Sequence, residues 1–165
     1  MVSQNPSADE KDVRASLDAT VHEYHHRGDV ARLLESLERI SATASTQELM
    51  NAVEPYREMH EVAGPIYEVI VAREPENARA IVTLANAYWL TGRGPEVVSE
   101  LASRALAADP SNRAAWHLWA LSEASPRSRV KRWQQIAVRF PEDELAKANL
   151  ADNAAKFTQR GSVRF

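Results

Sequence analysis

Three short phrases decide how this sequence is read: "AREPENARA" at residues 72–80, "AADPSNRAA" at 107–115 and "VRFPEDELA" at 138–146. Each sits between stretches of periodic apolar residues and carries a proline near its centre: Pro75, Pro110 and Pro141. Proline cannot continue the helix before it but suits the first turn of a new one. The polar and acidic residues that follow supply caps and favourable charge for a new N-terminus. Each phrase therefore ends one helix and starts another, and the spacings of 35 and 31 residues between the prolines read as an internal repeat.

Between these prolines the sequence predicts two helices and a tight turn. Residues 78–91 form one helix and 95–108 the next, broken apart by Gly92-Arg93-Gly94, because glycine adopts the left-handed helix-ending conformation cheaply. The following unit repeats the plan over 113–124 and 127–140, with Ser125-Pro126 as the break. Elsewhere apolar residues recur every three or four positions, and no run alternates apolar with polar residues. The predicted class is all-α.

Bulk properties narrow the options further. A chain of 165 residues with 44% hydrophobic and 26% charged residues makes one compact domain or one short repeat array. The absence of cysteine excludes disulfides, zinc ribbons and thiol nucleophiles. The opening residues, MVSQNPSADEKDVR, are polar and lack the pattern of a secretory signal, and no stretch approaches the roughly 18 apolar residues of a membrane helix. The expectation is a cytoplasmic protein with no membrane span. The net charge of -3 hides a split: residues 1–125 hold 11 Lys/Arg against 19 Asp/Glu, while residues 126–165 hold 9 against 4.

The unit from Ala78 to Pro110 resembles the tetratricopeptide repeat, with Leu84-Ala85, Tyr88, Gly92, Leu101, Ala105 and the closing Pro110. The next unit matches through Trp116, Trp119-Ala120, Trp133 and Pro141, with Glu123 where the pattern has Tyr. Pushed backward, the register finds Leu17, Tyr24, Gly28, Leu33, Leu37 and Ile40 in a first unit. The segment 46–75 is the most degenerate: Pro55 interrupts its first helix and Gly64-Pro65 disturbs its second, so an irregular pair is expected there. The resemblance implies tandem antiparallel helix pairs in a right-handed superhelix. Units fall at about 14–45, 46–75, 78–110 and 113–141, followed by a capping helix at 142–157, all in one domain spanning 11–157. Residues 1–10 are expected to be disordered and 158–165 frayed. Stacking is required because one pair cannot hide its own apolar face. Trp116, Trp119, Trp133, Leu84, Leu101 and Tyr88 are the expected buried layer.

Two motifs near the start need testing against that register. His22-Glu23-Tyr24-His25-His26 fits H-E-x-x-H, in which two His four apart bind zinc and the Glu activates water. A zinc metallopeptidase through His22, Glu23 and His26 is thus the remote alternative. The longer form of the motif wants Gly and His where Asp29 and Arg32 stand, and no upstream sheet shapes a cleft. Arg27-Gly28-Asp29 matches an integrin-binding tripeptide, but Gly28 is the turn glycine and Asp29 caps the next helix. No Ser-His-Asp set, phosphate loop or paired-carboxylate cleft is legible, so no catalytic residue, cofactor or metal is expected.

The resemblance also implies a concave wall made by the first helix of each unit. On this chain that wall takes His22, His25 and His26 from the first unit, Arg79, Val82, Asn86 and Trp89 from the third, and His117, Leu118 and Leu121 from the fourth. Aromatic and aliphatic contact area with a few directional polar groups suits a peptide or helix of a partner protein. Asn86 matches one position of the clamp that grips terminal carboxylates, but Val82, Leu145 and Asn149 replace its basic partners, so EEVD-type peptides are not expected to bind. The basic run Arg127, Arg129, Lys131, Arg132 and Arg139 reads as a solvated outer face, which disfavours nucleic acid as its partner. The leading expectation is a non-catalytic protein-interaction module acting as adaptor, scaffold or chaperone. The alternative is a homo-oligomer, a scaffold that self-assembles through its lopsided charge.

Overall fold

The computed structural model describes the backbone of residues 8–162 and the side chains of residues 11–156. Within that span the chain holds nine α-helices, one short 3-10 turn and no strand. The pairs are α1 (Ala8–Arg27) with α2 (Val30–Thr43), α3 (Thr46–Val53) with α4 (His60–Arg73), α5 (Ala78–Leu90) with α6 (Pro95–Ala108), and α7 (Arg113–Leu121) with α8 (Pro126–Arg139), closed by α9 (Glu144–Ser162). Neighbouring pairs share walls: α1 packs on α3, α2 on α4, α4 on α5, α5 and α6 on α7, and α8 on α9. The fold is the expected one, tandem antiparallel helix pairs of the TPR type. Within the terminal segments expected to be disordered (1–10) and frayed (158–165), residues 8–10 and 158–162 are helical, at the start of α1 and the end of α9. Residues 1–7 and 163–165 lie outside the described residues.

The three proline phrases build nearly identical junctions. Glu74, Asp109 and Phe140, each just before a proline, have left the helical region, with φ of -126°, -142° and -125°. Clash with the proline ring forces that conformation and stops the helix. The chain then turns, with Asn77, Asn112 and Asp143 donating their backbone N–H to the carbonyls of Glu74, Asp109 and Phe140. The same three side chains accept from the N–H of Ala80, Ala115 and Ala146 at 3.1, 3.1 and 2.9 Å. Each thus caps a new helix.

Boundaries moved by one to three residues where caps compete. α5 stops at Leu90 because Thr91 closes it, its hydroxyl bonded to the carbonyl of Ala87. Gly92 and Gly94 then take φ of +73° and +105°, which suits glycine alone. α7 ends at Leu121 rather than 124, and α8 begins on Pro126 itself, capped by Ser125. The degenerate second unit is irregular as expected: α3 is short, Glu54–Tyr56 forms the 3-10 turn, and Pro65 lies inside α4. Ser45, accepting from Glu48 N–H at 3.1 Å, opens that unit in place of a proline junction.

The core divides in two. The larger cluster runs from Leu17 through Ile66, Ile81 and Ala102 to Leu118. The smaller holds Ala120, Trp133, Ile136 and Ala146, with Trp116, Leu121 and Phe140 packed against it. Of the expected buried layer, Trp133, Leu84 and Leu101 are buried, while Trp116, Trp119 and Tyr88 are half-buried. The Trp133 indole N–H finds no acceptor among the described residues. Trp133→Ala should therefore cost about 3–5 kcal/mol as a cavity. Trp133→Phe should cost far less, because it also removes a buried donor without a partner. Urea unfolding of the two variants checks this, and equal losses would contradict it.

Candidate functional site

α1 ends at Arg27 because Gly28, at φ +65°, turns the chain and donates its N–H to the carbonyl of Tyr24 at 2.8 Å. Asp29 then caps α2 through Arg32 N–H. Across this turn Glu23 pairs with the Arg32 guanidinium at 2.7 Å. The His22 and His26 rings meet edge to face, 4.5 Å between centroids. The carboxylate between the two His is thus occupied by an arginine. Among the described residues no group of three or more His, Asp or Glu is placed to hold a metal ion. The tripeptide Arg27-Gly28-Asp29 is spent on the same turn.

The residues assigned to the concave wall separate into two sets. His22, His25, His26, Arg79, Asn86 and Trp89 are exposed. Asn86 has no polar partner among the described residues, and Trp89 is 38% exposed with its indole N–H unbonded. The other four are committed to the fold. Leu118, expected on the open wall, is only 6% exposed and belongs to the main core. The reason is that α7 is covered on two sides, by α5 and α6 and by α8, so its buried arc is wider than a single stripe. Val82 and Leu121 are half-buried against the two cores.

His117 also serves the fold. Its Nε2 lies 2.7 Å from Oδ2 of Asp143, which is 3% exposed, and Arg113 stands 3.7 Å from the same oxygen. Burial pushes the Asp143 carboxyl up, but the Ala146 N–H, the His117 ring and the Arg113 guanidinium outweigh it and hold the carboxyl below the ordinary carboxylate range. One side chain thus caps α9 and ties it to α7.

The basic run is half absorbed by the fold as well. Arg132 stacks on Trp119, bonds its carbonyl at 2.6 Å and pairs with Glu123 at 2.7 Å. Arg129 bonds the Glu123 carbonyl at 2.9 Å. These contacts satisfy carbonyls left open where α7 ends. Arg139 lies over Trp116 and Phe140. Arg127 and Lys131 remain exposed, with no polar partner among the described residues.

A cleft that the periodicity did not reveal opens between the end of α1 and the start of α4, about 890 Å³ in volume. Its apolar surface comes from Tyr24, Tyr56 and Met59, and its charge from Glu54, Glu58 and Glu61 against the single cation Arg57, with His25 also at its edge. The Tyr56 hydroxyl donates to Asp18 on α1, and burial together with that carboxylate pushes its pKa up to about 12. Glu54 pairs with Arg57 at 3.5 Å, whereas Glu58 and Glu61 have no ion pair among the described residues. The one sequence signal for this cleft was Pro55, which marked an irregular connector.

The fold is an all-α helical repeat of the tetratricopeptide type. No protein-family model matches the chain, and no curated protein matches it. Among solved structures, the crystal structure of MamA is similar, with a TM-score of 0.62 and 13% identity over 84% of this chain and 85% of that one. A Thermobaculum terrenum O-GlcNAc transferase mutant is similar at a TM-score of 0.53 and 21% identity over 82% of this chain. The match takes in only 28% of the transferase chain. At these identities the likeness is one of fold.

The Asp143 linkage carries a pH dependence. A carboxyl whose folded pKa is depressed adds stability above its unfolded value, near pH 4, and that stability is lost as pH falls through the folded value. Urea midpoints should therefore fall more steeply on acidification below about pH 4 for the wild type than for Asp143→Asn. Parallel profiles would show that the carboxylate charge contributes nothing.

Proposed function

We propose that the chain is a non-catalytic protein-interaction module whose inner wall holds a peptide or helix of a partner protein. The observation that carries this reading is the surface of α5. Trp89 and Asn86 lie three residues apart on one helical face, both exposed and neither bonded to the protein. An exposed indole beside a free amide offers contact area and direction together, the combination found at binding hot spots. Arg79 opens the same helix as an exposed cation, and His22, His25 and His26 add exposed imidazole rings on α1. The helix stacking supports the reading, because first helices of neighbouring units pack side by side within each half of the stack, α1 on α3 and α5 on α7.

The test is substitution of side chains that the fold does not need. Trp89→Ala and Asn86→Ala should leave the unfolding free energy from urea titration within about 0.5 kcal/mol of wild type, as surface changes do. Against a partner isolated from the native host, Trp89→Ala should weaken binding by about 30-fold or more and Asn86→Ala by a few-fold. Leu121→Ala is a poorer probe, because that side chain also packs on the smaller core. Unchanged affinity in both α5 variants would remove the inner wall as the binding surface.

A further inference from the structure

Two surfaces outside the inner wall fit one another. The first is the acidic cleft beside the 3-10 turn, where Glu58 and Glu61 are exposed and unpaired next to Tyr24, Tyr56 and Met59. The second is the outward stripe of α8. Arg127, Lys131, Gln134 and Val138 recur at intervals of four, three and four residues, so they fall on one face and span about 16 Å. All four are exposed, Val138 at 82%. The neighbouring cations Arg129, Arg132 and Arg139 turn back onto their own chain, which leaves Arg127 and Lys131 as the helix's outward charge.

We propose that the α8 stripe of one copy docks in the α1–α4 cleft of a second copy. Arg127 and Lys131 meet Glu58 and Glu61, and Val138 meets the Tyr56 and Met59 surface. The lopsided charge of the chain, acidic through residue 125 and basic after it, favours this orientation of two copies over the reverse. The two surfaces are different, so the contact is heterologous. It extends into a chain of copies unless the rotation closes a ring. The proposal shares only His25, which lines the cleft, with the inner wall, and neither Trp89 nor Asn86 takes part in it.

Sedimentation velocity on the full chain tests this from about 10 to 500 µM. In about 0.1 M NaCl the protein should self-associate, and raising NaCl to about 0.5 M should weaken association by at least about tenfold, because exposed charges are screened. Glu58→Lys with Glu61→Lys should make one monomeric variant, and Arg127→Glu with Lys131→Glu another, each with unchanged circular dichroism. Mixing the two should restore association, since the swapped charges attract across one contact. The proposal is overturned by a wild type monomeric throughout, by association that survives in either variant, or by variants that fail to recombine. A monomeric wild type whose cleft binds an arginine-rich peptide would assign the cleft to another protein and also overturn it.

Discussion

Everything in the second half of this chain hangs on how a proline junction passes one helix to the next. The residue before the proline is forced out of the helix, the turn closes with a backbone bond, and an Asn or Asp two residues after the proline caps the new helix. The capped N–H in each case belongs to an alanine exposed by 2% or less: Ala80, Ala115 and Ala146. A small side chain at each of these enclosed points lets the new helix pack close to its neighbours. Cap and alanine act as one device, since the cap fixes the direction of the new helix and the alanine fixes its distance.

The first half reaches the same architecture without that device. Asp29 and Ser45 cap α2 and α3 with no proline nearby. The link between the first two units is instead made from the far end of α4, where Arg73 donates to the carbonyls of Ser41 and Ala44 at the end of α2. One guanidinium thus satisfies acceptors that a closing turn would otherwise have to serve. In the same unit α3 is short and gives way to the 3-10 turn at Pro55. That irregularity is also what opens the acidic cleft, because a regular α3–α4 turn would not set Tyr56 against Asp18 on α1.

Helix pairs, their order and half of the expected buried layer were legible in the sequence because periodicity and proline position are local signals. What stayed hidden depends on neighbours distant in sequence. Leu118 reads as a wall residue when the repeat register is carried over, yet α7 is buried on two arcs, with Ala115 and Leu118 in one core and Ala120 in the other. His117 reads as a surface polar group until Asp143, 26 residues later, turns up against it. Arg132 reads as one member of a solvated charge run, but its partner Glu123 lies in the preceding turn, outside any helical spacing. Periodicity says which face is apolar and is silent on which polar groups find each other across a junction.

The same reasoning explains why the last unit is so basic without invoking nucleic acid. Its core is small, four buried residues among those described, with half-buried Trp116 and Phe140 packed against it. Trp116 and Trp119 meet edge to face, and each carries an arginine over a ring: Arg139 on Trp116 and Arg132 on Trp119. Arg113 and Arg139 both approach Phe140. Cations over half-exposed rings contribute about 0.5–1 kcal/mol each and shield apolar surface that the short α7 cannot cover. Lysine would serve less well, because the planar guanidinium stacks on the ring while still bonding carbonyls and carboxylates. Packing chemistry therefore accounts for Arg113, Arg129, Arg132 and Arg139, and leaves Arg127 and Lys131 as the two cations of this unit that packing does not require.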